Sequence, residues 1–269
     1  MGRTEKSAKS RSRSRSVGKS EGDQGKSSQM WAFREAFRAA GERPAEGTST
    51  AKKNYAEQLS RNLAMLFANR LRSGFPEITP DEKGRRHERP ARTAKGTKKL
   101  DVNYSHPDIG LGLGVSIKTL NFRDADSGRY TKNYTRIDNE LRAEALDYHE
   151  RQPWALLVAL IFLPVDACGD YKSGARKEAS SSFGQAIKVF RYRGNRNCPT
   201  DADQLFERVF VGLYAIDEDD PWDVRFFDVM QAPPRSGRPS KTLTLEEVVA
   251  EMARIYTARN DPPFVWAGE

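Results

Sequence analysis

The residues best suited to chemistry lie near the middle of the chain, where Asp101 precedes the triplet Ser116-Ile117-Lys118 by a short stretch rich in glycine. Leu113 to Asn121 reads as a strand. Its period-two alternation puts Val115, Ile117 and Thr119 on one face and Ser116, Lys118 and Leu120 on the other. If a preceding strand, Lys99 to Tyr104, folds back through a turn around Pro107 to Gly112, Asp101 comes to lie across from residues 116 to 118. A carboxylate and an ammonium then share one patch of sheet. Phosphodiester hydrolysis uses that pairing: the carboxylate holds a hard divalent cation by oxygen, and the ammonium orients attacking water and offsets developing charge.

These residues resemble the PD-(D/E)XK, or restriction-endonuclease-like, nucleases over about residues 52 to 163. The family's core is a helix, a β-hairpin, a crossover helix and a further strand. Its letters here are Leu100-Asp101-Val102 for the metal-binding aspartate and Val115-Ser116-Ile117-Lys118-Thr119 for the acid-x-Lys strand. Ser116 stands where the family usually has Asp or Glu. The resemblance implies an α/β fold with a mixed central sheet flanked by helices, a Mg²⁺ (or Mn²⁺) ion held partly by a backbone carbonyl near Ile117, and double-stranded DNA as substrate. It also implies a restriction enzyme or the nuclease subunit of a prokaryotic antiviral system, acting with a second copy or with defence-complex subunits. Some restriction enzymes that resemble this pattern have Ser before the Lys and draw the missing carboxylate from the neighbouring helix.

In that helix, read from Asn133 to Arg151, Ile137, Leu141 and Tyr148 form the apolar stripe, Glu144 falls within it and Glu140 at its edge. A glutamate facing a sheet is costly unless paired or metal-bound, so either Glu140 or Glu144 is the candidate second ligand. An ion pair with Arg136 or Arg142, or simple exposure, is the alternative for each. Glu57, opposite the apolar stripe of an earlier helix, is the weaker candidate.

Other motifs carry less. Asp108, in a literal Pro-Asp dipeptide, competes with Asp101 but falls inside the turn. The Gly-Lys-Ser triplets at Gly18 and Gly25 lack the spacing and flanking elements of a phosphate-binding loop. Gly110-x-Gly112-x-Gly114 leads into a strand, not a helix, and reads as a hairpin turn. Ser116 and Lys118 as nucleophile and base of an amidase would need loops and oxyanion elements that are missing. His106 and His149 read as structural. With Cys168 and Cys198 as the chain's two cysteines, neither a disulfide framework nor a zinc motif can be built.

Substrate contacts are expected from Ser182, Lys188, Arg191, Arg193 and Arg196, which supply a hydroxyl and cations near one helix, and from Arg129 and Lys132 in a polar aromatic loop. The net charge of +8 is concentrated: residues 1 to 28 hold eight Lys/Arg against three acids, and residues 83 to 99 hold eight against one. A mildly acidic body with cationic arms fits a polyanionic partner.

The elements needed to position these residues can be read around them. Residues 1 to 29 are too polar to repay ordering and read as a disordered basic tail, followed by a single domain from 30 to 269. Helices are expected from Met30 to Ala40, Lys52 to Ser73, Ser182 to Tyr192 and Leu243 to Ala258. Strands are expected at Trp154 to Leu163, Glu207 to Ile216 and Val224 to Met230. No segment reads as a membrane span or secretory signal, so a soluble cytoplasmic protein is expected. The competing functions are a catalytically inactive nuclease-fold module that binds DNA and a structural interaction protein whose basic arms bind RNA. A reachable second carboxylate discriminates the active reading from the first of these.

Overall fold

The computed structural model describes residues 32–86, 90–106, 110–171, 180–215, 224–234 and 237–260. The basic tail at 1–29 and the rival acid Asp108 lie outside them. Helix α1 covers residues 32–39, and α2 spans Ser49–Leu71, capped at its start by the Thr48 hydroxyl, which accepts from Ala51 N–H at 3.2 Å. A two-stranded ribbon follows, β1 (Pro90–Thr93) and β2 (Gly96–Lys99). The sequence shows only a cationic stretch here, with a strand expected to begin at Lys99. Its polar residues show little alternation, although Gly96, at a φ of 126°, closes the turn through Ala94 and Lys95.

The main sheet comprises β3 (Val102–His106), β4 (Gly110–Thr119), β5 (Leu156–Pro164), β6 (Arg208–Tyr214) and β7 (Arg225–Asp228), in that spatial order. Strands β4, β5 and β6 run parallel, and the two edge strands are antiparallel to their neighbours. The chain crosses from β4 to β5 through α3 (Tyr134–His149) and from β5 to β6 through α4 (Ser182–Phe190). The last element is α5 (Leu245–Arg259), started by a capping box between Thr244 and Glu247. This is an α/β architecture with a mixed five-stranded sheet flanked by helices. All nine residues of β5 are buried, as expected of a central strand covered on both faces.

Two cores result. On one face Leu156, Val158, Leu160 and Phe162 of β5 pack with α1, α2 and α5; on the other Leu157, Ala159 and Ile161 pack with α3 and α4. The register pairs Ser116 with Ala159 and Lys118 with Ile161, so both project toward α3, the face bearing Glu140 and Glu144.

The glycines at 110, 112 and 114 are inside β4, not in the turn. Gly114 is required by a close approach: a Cβ there would meet Leu100 Cδ1 at 2.5 Å and Leu157 Cδ2 at 2.8 Å. Leu100 thus lies flat over the strand, and the chain delivers the next residue, Asp101, to the edge of β4. Among the described residues no helix is long and apolar enough to cross a membrane.

Candidate active site

β3 pairs with β4 only as far as Val102 opposite Val115, and among the described residues the end of β4 has no strand partner on that side. The amide of Leu120 donates to Phe162 O at 2.9 Å, so even-numbered residues here direct their backbone groups toward β5. The N–H and C=O of Ile117 therefore point the other way, toward the open edge. Asp101 meets them there, its Oδ2 accepting from Ile117 N–H at 2.6 Å. The aspartate substitutes for the missing strand, and one carboxylate and one backbone carbonyl come to share an edge. The Ile117 carbonyl has a long contact with the Ser60 hydroxyl, 3.5 Å.

Lys118 reaches across the adjacent face. Its Nζ donates to Glu144 Oε1 at 2.7 Å and lies 3.6 Å from Glu140 Oε2, with 18 % of the side chain exposed. Burial pulls the ammonium's pKa down, but the charges of Glu144, Asp101 and Glu140 outweigh it and hold the pKa above the usual lysine value. Lys118 is therefore a cation at neutral pH and cannot accept a proton.

The two glutamates differ. Glu140 is half-exposed and shared with Arg136 one helical turn earlier. Glu144 is more enclosed, and its second oxygen, Oε2, is buried without a hydrogen-bond partner. One turn further along α3 the hydroxyl of Tyr148 is also buried and unpartnered. Burial pushes that hydroxyl's pKa up, and the charges of Glu144, Asp147 and Asp101 push it further. The sequence reading took Tyr148 only as part of the apolar stripe, and its spacing of four from Glu144 is the signal that places both on one side of the helix. Arg142 is held by Gln204 at 3.1 Å and is not part of the cluster. Glu57 stands apart on α2, exposed and paired with Lys53.

Among the described residues no group of three or more His, Cys, Asp or Glu side chains is arranged to hold a metal. The oxygens at hand are of another composition: two carboxylates, Asp101 and Glu144, and the Ile117 carbonyl. Hard divalent cations take such all-oxygen donors, and a buried carboxylate oxygen without a partner is a group that a cation or its water would satisfy. The donor set fits Mg²⁺ or Mn²⁺.

The residues expected to contact nucleic acid are dispersed. Ser182 is buried at the start of α4, with its N–H and hydroxyl donating to Asp170 at 2.7 and 2.5 Å. Arg196 is 1 % exposed and bound to Glu207, Pro153 O and Pro199 O. Arg193 forms a two-point pair with Asp138 at 2.6 and 2.9 Å, Arg191 donates to Val229 O and Gln231 O, and the buried Arg129 donates to Ser180 O. These five are engaged internally, not turned outward as expected. Arginine tolerates burial where carbonyls and carboxylates match its fork, and a count of cations does not distinguish that use from phosphate binding. Lys132 remains mostly exposed beside Asp124, 2.5 Å away, and Lys188 is exposed. His149 sits between Asp203 O and Ala155 O at 3.0 and 3.3 Å, away from the patch.

Comparison of the chain with protein-family models, with curated proteins and with solved structures gives no match in any of the three.

Proposed function

We propose that the protein is a divalent-metal-dependent DNA endonuclease with a PD-(D/E)XK-like core, serving as a restriction enzyme or as the nuclease subunit of an antiviral system. The observation that carries the reading is the convergence of Lys118 on Glu144 and Glu140 beside Asp101 and the open backbone edge at Ile117. The order hairpin, crossover helix, parallel strand across β3, β4, α3 and β5 is also the order the resemblance requires.

Asp101, Glu144 and the Ile117 carbonyl would hold Mg²⁺ or Mn²⁺, which when bound supplies positive charge to the phosphoryl oxygens and acidifies water. Lys118 stays protonated, so its role is to donate hydrogen bonds to the attacking water or to a non-bridging phosphate oxygen. Its two glutamate partners restrict where that ammonium can point. The proton released by water must go to a carboxylate or to solvent, and Glu140, the more exposed glutamate, would take it. Ser116, 2 % exposed, contributes packing and no charge.

The test is nicking of supercoiled plasmid in Mg²⁺ or Mn²⁺. Wild type nicks, and Glu144→Gln is slowed about 100-fold or more, in the range for loss of one preorganised electrostatic group. Equal nicking by wild type and the Glu144 variant removes that glutamate from the mechanism. A second reading, an inactive nuclease-fold module that binds DNA, is favoured by the Lys118–Glu144 pair itself, because at 2.7 Å Lys118 already balances the charge of Glu144 without a metal ion. It predicts duplex binding and no cleavage with either metal.

A further inference from the structure

We propose that a cavity beyond the carboxyl ends of β4 and β5 binds a mononucleotide, with Arg129 holding its phosphate; this site stands apart from the nuclease reading and uses none of the residues of the Asp101–Lys118 patch. The loops that follow these two parallel strands line a cavity of about 590 Å³, walled by Arg123, Asp126, Gly128 and Arg129 from the first loop and by Asp170 and Tyr171 from the second. Open α/β sheets bind ligands in the crevice outside the carboxyl ends of their strands, and the volume is that of a small-molecule site. Local hydrogen bonds set the wall. Asp124 N–H donates to Arg129 O at 2.8 Å and Tyr130 N–H donates to the Ser182 hydroxyl at 3.1 Å, so the backbone is held on both sides of the Arg129 side chain.

Arg129 supplies the reason for a ligand. Among the described residues two arginines are buried, Arg129 at 8 % and Arg196 at 1 % exposure, and their surroundings differ. Arg196 meets the Glu207 carboxylate at 3.1 Å. Arg129 makes one side-chain hydrogen bond, from Nη2 to Ser180 O at 2.7 Å; its Nε is buried without a partner, and among the described residues no carboxylate lies within ion-pair distance. A guanidinium taken out of water without a counter-charge is costly, and an anion in the cavity it lines would provide that charge. The neighbouring side chains do not provide it. Arg123 is committed to Asp166 and to Gly128 O, and Asp170 accepts from the N–H and hydroxyl of Ser182 at the start of α4. Asp126 is exposed, in the field of Lys132. Tyr171, 39 % exposed, gives the wall an aromatic face. A guanidinium for a phosphoryl group, a ring on which a base can stack and a carboxylate, Asp126, to accept from hydroxyl or amino groups are together the complement of a nucleoside monophosphate.

The experiment is isothermal titration calorimetry of the full-length protein in EDTA with each common ribonucleoside 5′-monophosphate, with the matching nucleosides and with inorganic phosphate. At least one nucleotide is expected to bind more tightly than its nucleoside or phosphate alone. Arg129→Met removes the charge and keeps an unbranched apolar stem. It is expected to weaken that nucleotide about 10- to 100-fold, the range for a hydrogen bond to a charged group. Its Tm without ligand should stay at or above that of wild type, because the variant no longer buries an unbalanced charge. Tyr171→Ala, at a half-exposed position, is expected to weaken the nucleotide about 10-fold through loss of stacking and to leave phosphate binding as it is in wild type. Absence of binding by every nucleotide overturns the site, and so does wild-type affinity in either variant. An Arg129→Met protein that melts far below wild type makes the guanidinium a structural group and overturns it as well.

Discussion

Glu144 and Glu207 are both carboxylates set among cations on α3's side of the molecule, and their surroundings divide them. Glu207 is 0 % exposed, its Oε2 accepts from Leu157 N–H at 2.6 Å, and its Oε1 accepts from Arg196 at 3.1 Å and Arg259 at 2.8 Å, with His149 at 3.6 Å. Burial pushes its pKa up, but His149, Arg259 and the Leu157 amide outweigh that and hold it below the usual glutamate value. Both oxygens are used, and the partners come from β5, α3, α5 and the loop before β6. Glu144 uses one oxygen on Lys118 and leaves the other buried without a partner. A saturated carboxylate holds elements together; an unsaturated one beside an open strand edge has capacity left for a ligand.

The largest effect that would break this contrast is at Glu207. Glu207→Ala strands two buried guanidinium groups, and the expected loss is about 3–5 kcal/mol of folding free energy, read as a large drop in Tm. The depressed pKa makes Glu207's contribution fully present above the ordinary glutamate range and lost as pH falls through the folded value, so the deficit of the variant should shrink in acid. A variant as stable as wild type at neutral pH would show that the cluster is not structural.

Lys118→Ala should behave in the opposite way. Its ion pairs are partly exposed, so stability changes by about 1 kcal/mol or less, while nicking falls about 100- to 1,000-fold. Thermal melting and plasmid nicking on the same preparation separate the two. A melting loss as large as that of Glu207→Ala, with nicking retained, would make Lys118 a structural residue and erase the distinction between the clusters.

The same contrast explains what could be read in the sequence. Long apolar patterns marked α2, α3, β5 and α5 to within a few residues, because burial on one or both faces leaves a strong periodic signal. Asp101, Lys118 and Glu144 could be brought together on paper because strand alternation and helical spacing are local rules. The ribbon was hidden because its four cations and two threonines carry no apolar alternation, although Lys95 and Lys98 have a partner in Asp147. Arg196 was misjudged for the same reason: its acceptors, Glu207 and two carbonyls, come from different segments, and only the tertiary fold assembles them.

Tyr148→Phe sharpens the comparison at smaller amplitude. A buried hydroxyl with no partner is destabilising by about 1–3 kcal/mol, so its removal should raise Tm. If the hydroxyl serves a ligand or water held beside Glu144, the same change lowers nicking. Higher Tm together with slower nicking is the expected outcome, a trade not expected at the saturated Glu207 carboxylate. A lower Tm would mean that the hydroxyl is satisfied in solution, and the patch would lose one of its two orphaned groups.

The smallest expected effect concerns Asp147, which lies between the two extremes: its carboxylate is buried, but Lys95 and Lys98 are partly or mostly exposed. Burial raises its pKa, and the two lysines outweigh that and lower it. A group with a depressed folded pKa stabilises above its unfolded value and loses that contribution as pH falls through the folded value. The double variant Lys95→Ala/Lys98→Ala should therefore be less stable than wild type at neutral pH by only about 1 kcal/mol, since solvent screens both lysines. The difference should vanish only once pH has fallen through the depressed folded value, where Asp147 is protonated in both proteins. Hydrogen exchange at the Ala94 amide, which Asp147 O protects, reads the same release locally. A difference that persists undiminished in strong acid would mean that the lysine stems, packed on α3, hold the ribbon without their charges.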